Sequence, residues 1–206
     1  MDLFQSVDSN LLPLDGVLFY YPSFFTREKS ELYFDALMHS IPWQHDEVMM
    51  FGKKVITKRK VAWYGDEGCS YTYSKILRVP ISWNETLLEI KKQVEEKANT
   101  NFNSCLLNLY HDGNESMAYH ADNEPMLERN GTIASVSFGA ERRFLFRHNR
   151  YQENKIPVVE TVLSNGSLLL MQGEIQSHWK HALPASKKIT TPRINLTFRK
   201  IATASR

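Results

Sequence analysis

Several features are scarce or missing from the 206-residue chain, and each absence excludes something. There are two cysteines, Cys69 and Cys105, and they form no CxxC pair. That argues against a disulfide framework and for free thiols in a reducing compartment. No apolar run approaches the roughly 20 residues needed to span a bilayer. The opening "MDLFQSVDSN" lacks the basic start and long apolar stretch of a signal peptide. The expectation is a soluble intracellular protein without membrane contact, in the cytoplasm or, in a eukaryote, the nucleus. Charge of one sign is also scarce. Lys and Arg number 25 against 23 Asp and Glu, a net of +2. The molecule is no polycation, so any nucleic-acid contact must come from local patches. Internal repeats, low-complexity tracts and linkers are lacking, which implies one domain. Hydrophobic residues make up 42%, and the length suffices to bury a core without staples.

Residues 1–15 read as a polar lead-in and 16–206 as a single domain. "GVLFYYPSFF" reads as a short strand broken by Pro22. "TREKSELYFDALMHSIPW" reads as a helix capped by Thr26 and stopped by Pro42, with Leu32, Phe34, Leu37 and Met38 as its apolar side. "NETLLEIKKQVEEKAN" is the clearest helix, capped by Asn84, with Leu87, Leu88, Ile90 and Val94 facing inward. Between them, 48–75 reads as β-prone pieces punctuated by Gly52, Gly65 and Gly68. From 104 to 201 the chain is a succession of short strands, among them "CLLNLY", "TIASVSFG", "RRFLFRH", "SHWKHAL" and "RINLTFRKI". Such a run suggests a sandwich or barrel with the two helices packed outside.

"NLYHDGNESMAYHADNE", Asn108 to Glu124, crowds ligand-bearing side chains into seventeen residues. His120 and Asp122 form an H-x-D. On a strand, period-two geometry would aim both at one metal. "HWKHALP" offers His178 and His181 as a third ligand, and two histidines with one carboxylate suit a non-haem Fe(II) oxygenase. Any one of these histidines alone is more often an ordinary hydrogen-bonded residue. "PRINLTFRK" supplies context. Arg193, Asn195, Thr197 and Arg199 share one strand face, and Ile194, Leu196 and Phe198 the other. Inward arginines are costly unless an anion meets them, and a dicarboxylate would. Asn108 and Tyr110 share a face and could add hydrogen bonds to it.

The order N-x-Y, H-x-D, "HWKHALP" and R-x-N-x-T-x-R resembles the AlkB family of Fe(II)/2-oxoglutarate dioxygenases. The resemblance covers about 46–201 and is closest to the branch that repairs alkylated bases in double-stranded DNA. It implies an α+β, mainly β fold: a double-stranded β-helix (jelly roll, cupin-like) with flanking N-terminal helices. Strands at about 48–75 would recognise the nucleotide, and a jelly roll at about 104–201 would carry catalysis. It implies Fe(II) held by His120, Asp122 and His181, with 2-oxoglutarate and O2 as co-substrates. Arg193 matches the contact to the distal carboxylate and Arg199 the one near the metal-bound end. Asn108, Tyr110 and Thr197 match the remaining contacts, with Asn195 between them. His178 then takes a minor role, because the family's histidine stands directly before the "ALP" segment.

The implied reaction removes methyl groups from 1-methyladenine and 3-methylcytosine in DNA. It is coupled to decarboxylation of 2-oxoglutarate to succinate and releases formaldehyde. The implied substrate contacts are Phe51, an intercalating finger, with Gly52 and Lys53 beside it; Tyr71 and Tyr73, lining the lesion pocket; and Asn123 and Glu124, touching the flipped base. A Tyr-x-Tyr strand and a Phe at a turn are equally plain sheet and core residues. The basic runs "KKVITKRK" and "ERRFLFRHNR" read as strands with one face towards phosphate, or simply as solvated faces. The expected partner is alkylated DNA, duplex or single-stranded, and the expected state a monomer. The rival readings are the same chemistry on RNA or on a protein, a non-catalytic nucleic-acid-binding module, and a small-molecule oxygenase.

Overall fold

A computed structural model describes residues 9–50, 53–69, 71–73 and 76–202. Helix α1, Arg27–Ser40, starts where the Thr26 side chain accepts from the Lys29 amide. It ends at Ile41, whose extended backbone precedes Pro42. Helix α2, Glu85–Ala98, is capped by Asn84, which accepts from the Leu87 amide at 2.8 Å. It stops at Asn99, in the left-handed region at φ 49°. The buried residues are Ser30, Tyr33 and Leu37 on α1 and Leu87, Ile90, Val94 and Ala98 on α2. Leu32 and Leu88, expected inside, stand 65% and 48% exposed. Three- and four-residue steps select one stripe of each helix. Leu88 lies one residue, about 100° of helical rotation, off the stripe that Leu87 occupies.

The strands are β1 Val17–Tyr21, β2 Gln44–Met50, β3 Lys53–Gly65, β4 Tyr71–Tyr73, β5 Ile76–Arg78, β6 Ser104–Tyr110, β7 Met117–His120, β8 Ile133–Gly139, β9 Arg142–His148, β10 Val159–Leu163, β11 Ser167–Gln172, β12 Trp179–Leu183 and β13 Arg193–Arg199. A single helical turn, α3 Ile175–His178, precedes β12, in place of the continuous strand expected there. A seven-stranded sheet runs β1-β11-β8-β13-β6-β3-β2, and a four-stranded sheet β10-β9-β12-β7. All pairings between the named strands are antiparallel. Among the described residues, β4 and β5 pair only with each other. This is the jelly-roll architecture, with α1 and α2 packed outside.

Residue parity divides the large sheet between two cores. Leu107, Leu109, Val136, Phe138, Leu168, Leu170, Ile194, Leu196 and Phe198 face the helices. Tyr110, Ile133, Leu169 and Met171 face the small sheet, where Phe144, Phe146, Trp179 and Leu183 meet them. A sheet covered on both sides explains why the strands read as almost unbroken apolar runs, with the exceptions concentrated where the site lies. The described part of the lead-in, residues 9–15, packs against this second core. Leu12 is buried, and the Asn10 carboxamide accepts from the amides of Leu12 and Leu18. The Trp179 indole donates to the Leu14 carbonyl. Cys69 and Cys105 are free and buried, and burial pushes both thiols above their ordinary range.

Candidate active site

β13 lies between β6 and β8 in the large sheet, and register fixes what faces what. Asn195 pairs with Asn108, and Arg193 with Tyr110. On the other side Asn195 pairs with Ser137 and Thr197 with Ser135. Paired residues point to the same face, so one polar patch forms inside the sandwich. Opposite it, His120 at the end of β7 pairs with His181 on β12. Asp122 is not on a strand. It follows β7 in irregular backbone, and its amide donates to the Gln176 side chain of α3 at 2.9 Å. The expected strand geometry of H-x-D therefore holds for His120 alone. A bend and Gln176 bring Asp122 round.

The structure brings His120, Asp122 and His181 together, with ligand atoms within 4.8 Å of one another. His120 Nε2 is 3.7 Å from Asp122 Oδ1, and the two imidazoles meet edge to face at 4.3 Å. His120 Nδ1 donates to the Ala118 carbonyl at 2.9 Å, which leaves the Nε2 lone pair free for a cation. Burial pushes His181 down to about 4, although Asp122 pulls the other way, so its imidazole is neutral at pH 7. For Asp122 burial acts upward, but Arg199 and the two histidines outweigh it and hold the carboxyl below its ordinary range. Two imidazoles and a carboxylate form a donor set that could hold a divalent metal.

The two arginines of β13 differ. Arg199 Nε lies 3.5 Å from Asp122 and its Nη1 3.2 Å from Glu124. Arg193 is 1% exposed, donates to Ser137 Oγ at 2.8 Å and lies 5.5 Å from the Tyr110 ring centroid. Among the described residues no carboxylate reaches it, and its Nε is unpartnered. Burial pushes Arg193 down to about 10. The demand for an anion is therefore at Arg193. Asn195 spends its amide on Ser135 Oγ and the Val136 carbonyl. A cavity of about 170 Å³ is lined by all six expected co-substrate residues and all three metal-ligand candidates. A larger cavity, about 270 Å³, lies across Asp122, Glu124 and Arg199 and lacks both histidines and Arg193.

A family model described as the 2OG-Fe(II) oxygenase superfamily matches residues 17–199. The chain belongs to that superfamily. The name carries iron(II) and 2-oxoglutarate, and the residues of this oxygenase fit both: a His/Asp/His donor set beside a buried guanidinium that lacks a counter-anion. The chain is 42% identical over 158 residues to the DNA oxidative demethylase ALKBH2 of Bos taurus, covering 75% of this chain and 57% of that protein. It is 36% identical over 204 residues to the protein of that name from Mus musculus, covering 96% and 85%. With the Bos taurus alpha-ketoglutarate-dependent dioxygenase alkB homolog 3 it shares 37% over 186 residues, covering 87% and 64%. Thus the chain spans little more than half of the first relative and most of the second. The solved structure of OsALKBH1 shares the fold at TM-score 0.58 and 14% identity, covering 91% of this chain and 98% of that one.

The expected substrate residues of this oxygenase are only partly placed. Phe51 and Gly52 lie outside the described residues. Lys53 begins β3, and Tyr71 and Tyr73 begin and end β4, but their side chains are likewise outside the description. Asn123 and Glu124 are exposed, and both line the larger cavity. Among the described side chains, several cations of the two basic runs are engaged within the protein. Arg142 is 1% exposed. Arg143 grips Glu160 through two 2.7 Å bonds. Arg147 stacks 3.9 Å over Tyr119. Arg59 lines the 170 Å³ cavity, with Nη1 3.6 Å from Met117 Sδ. Parity carried that signal: Val61 pairs with Asn108, so Arg59, two residues away, faces the same side. Gln176, Ser135 and Ser137 carried no sequence signal.

His178 is absent from the first cluster and joins Asp15 and His148 in another. His148 is buried. Its Nδ1 accepts from the Arg150 amide at 3.1 Å, and its Nε2 faces Asp15 Oδ2 at 3.2 Å. Nδ1 therefore carries no proton, and Nε2 donates to Asp15. That tautomer leaves Nε2 no lone pair for a metal. The pair instead fastens the lead-in to β9.

Proposed function

We propose that this chain oxidatively demethylates N-alkylated bases in DNA, with 1-methyladenine and 3-methylcytosine as substrates. The observation that carries the reading is one cavity lined by a His/Asp/His donor set and a buried arginine with no counter-anion. Relatives whose names are DNA oxidative demethylase support the substrate class. When bound, Fe(II) and 2-oxoglutarate would supply the oxidation: O2 is consumed, 2-oxoglutarate leaves as succinate and CO2, and the N-methyl group leaves as formaldehyde.

The protein's part is positional. His120, Asp122 and His181 would hold the metal. Arg193 would pair with the distal carboxylate of 2-oxoglutarate, with Tyr110 and Asn108 as further contacts from the same cavity wall. Arg199 steadies Asp122 and sits beside the metal-bound end. Asn123 and Glu124 line the larger cavity, where an extruded base would enter; the roles of Tyr71 and Tyr73 towards that base, and of Phe51 towards the vacated stack, rest on the family resemblance alone.

The test is formaldehyde release from a 1-methyladenine oligonucleotide, single-stranded and duplex, with Fe(II) and ascorbate. Release that needs 2-oxoglutarate is expected. No release from either strand form, with 2-oxoglutarate still raising the melting temperature, would reject the substrate and keep the oxygenase.

A further inference from the structure

Tyr110 has a cation on each of two neighbours. The Arg193 guanidinium lies 5.5 Å from its ring centroid and that of Arg142 lies 5.9 Å away. Both side chains are 1% exposed. Arg142 Nη1 donates to the Asp112 carbonyl, and Nη2 donates to the carbonyls of Gly113, Glu115 and Pro184 at 2.8–3.4 Å. No carboxylate pairs with it among the described residues, and its Nε, like that of Arg193, is unpartnered. The carbonyls belong to the β6–β7 loop and to the residue just after β12. That loop joins Tyr110 to the strand bearing His120, and β12 bears His181.

Two buried guanidiniums around one ring form a site with positive charge in excess. Ordinary packing does not call for this, since a methionine or leucine would fill the volume at less cost. Hydrogen bonds to four carbonyls use the Nη donors of Arg142 and leave its Nε unpartnered, and the Asp112 and Glu115 carboxylates offset its charge only through space. A bound anion would add the negative charge that those two carboxylates do not bring into contact with either guanidinium. Arg142 does not line the cavity, whereas Tyr110 does, so its influence travels through space and through the ring it seats. A unit charge about 10 Å away at an effective dielectric of about 20 alters anion affinity on the order of tenfold.

We infer that Arg142 is a positioning residue for the co-substrate: it seats Tyr110 and supplies the second buried positive charge that makes the cavity select a dicarboxylate over a monocarboxylate. This rests on the reading of the cavity as the 2-oxoglutarate site.

The experiment compares binding of 2-oxoglutarate and of 2-oxopentanoate, which lacks the distal carboxylate, by calorimetry with Mn(II) in place of iron. The wild type is expected to prefer 2-oxoglutarate, and that preference alone tests the underlying reading. If the wild type does not discriminate, the co-substrate reading fails, and the inference with it. Given discrimination, Arg142→Gln is expected to lower the ratio of the two affinities about tenfold. Arg142→Lys, which keeps the charge and loses the planar seat over Tyr110, is expected to lie between. Equal weakening of both ligands, or an unchanged ratio, overturns the inference, because a purely structural arginine would not distinguish them. Should Arg142→Gln fail to fold, the lysine variant decides alone: an unchanged ratio there overturns it.

Discussion

Replacing Arg193 with methionine should make the ligand-free protein more stable while destroying its co-substrate site. The side chain is buried, has no carboxylate partner among the described residues, and is pushed by burial from 12.5 to about 10. For a base with a depressed folded value, the penalty is fully present at neutral pH and is relieved only above about pH 10. A shift of that size corresponds to about 3 kcal/mol. Methionine removes it but loses the Ser137 hydrogen bond and the contact with Tyr110, each about 1 kcal/mol. The net gain is about 1 kcal/mol, or about 2–4 °C for a chain of this size. The assay is thermal unfolding of metal-free protein without co-substrate, repeated with Mn(II) and saturating 2-oxoglutarate. Beyond the rise that Mn(II) alone gives both proteins through the intact His/Asp/His set, 2-oxoglutarate should raise the wild type further and carry it past the variant, and should add nothing to the variant. A ligand-free variant less stable than wild type by about 2 kcal/mol or more would refute the idea that Arg193 is held in wait for an anion.

Asp122→Ala should abolish 2-oxoglutarate-coupled formaldehyde release while leaving the circular dichroism spectrum unchanged, because Arg199 keeps Glu124 as a partner. Retained turnover would remove Asp122 from the metal site. Gly113→Ala should cost about 2 kcal/mol by overpacking, since its new Cβ would collide with the Ser186 carbonyl. A melting temperature within 1–2 °C of wild type, about what 0.5 kcal/mol would give, would show that the loop yields freely. Burial, with the Glu89 carboxylate adding to it, raises the Tyr33 phenol to about 12. The protonated phenol therefore stabilises the fold fully below its unfolded value near 10, and that contribution is lost as pH rises through about 12. Wild type should thus lose stability relative to Tyr33→Phe between pH 10 and 12 in chemical denaturation, and parallel curves would contradict this.

Much of the site was written in one dimension because β-strands obey a rule of parity. Arg193, Asn195, Thr197 and Arg199 could be placed on one face from spacing alone, and Ile194, Leu196 and Phe198 on the other. The helix caps Thr26 and Asn84 were equally legible, since a cap is a local bond. So was the jelly roll, from short strands and a family resemblance across most of the chain.

What local rules cannot reach is which of two similar neighbours is buried. Arg142 and Arg143 are adjacent and alternate across the pleat. One enters the interior to bind four carbonyls, and the other stays outside on Glu160. His178 and His181 are three residues apart, and only the β12–β7 register puts His181 opposite His120. Asp122 reaches that pair because Gln176, 54 positions later in sequence, holds its amide. Arg193 and Arg199 read alike, yet carboxylates brought in by the 122–124 segment compensate Arg199, while no carboxylate among the described residues reaches Arg193. Sequence determined the residue types, their faces and the family. Tertiary structure decided which charges are paired, because pairing depends on segments that meet only when the two sheets close on each other.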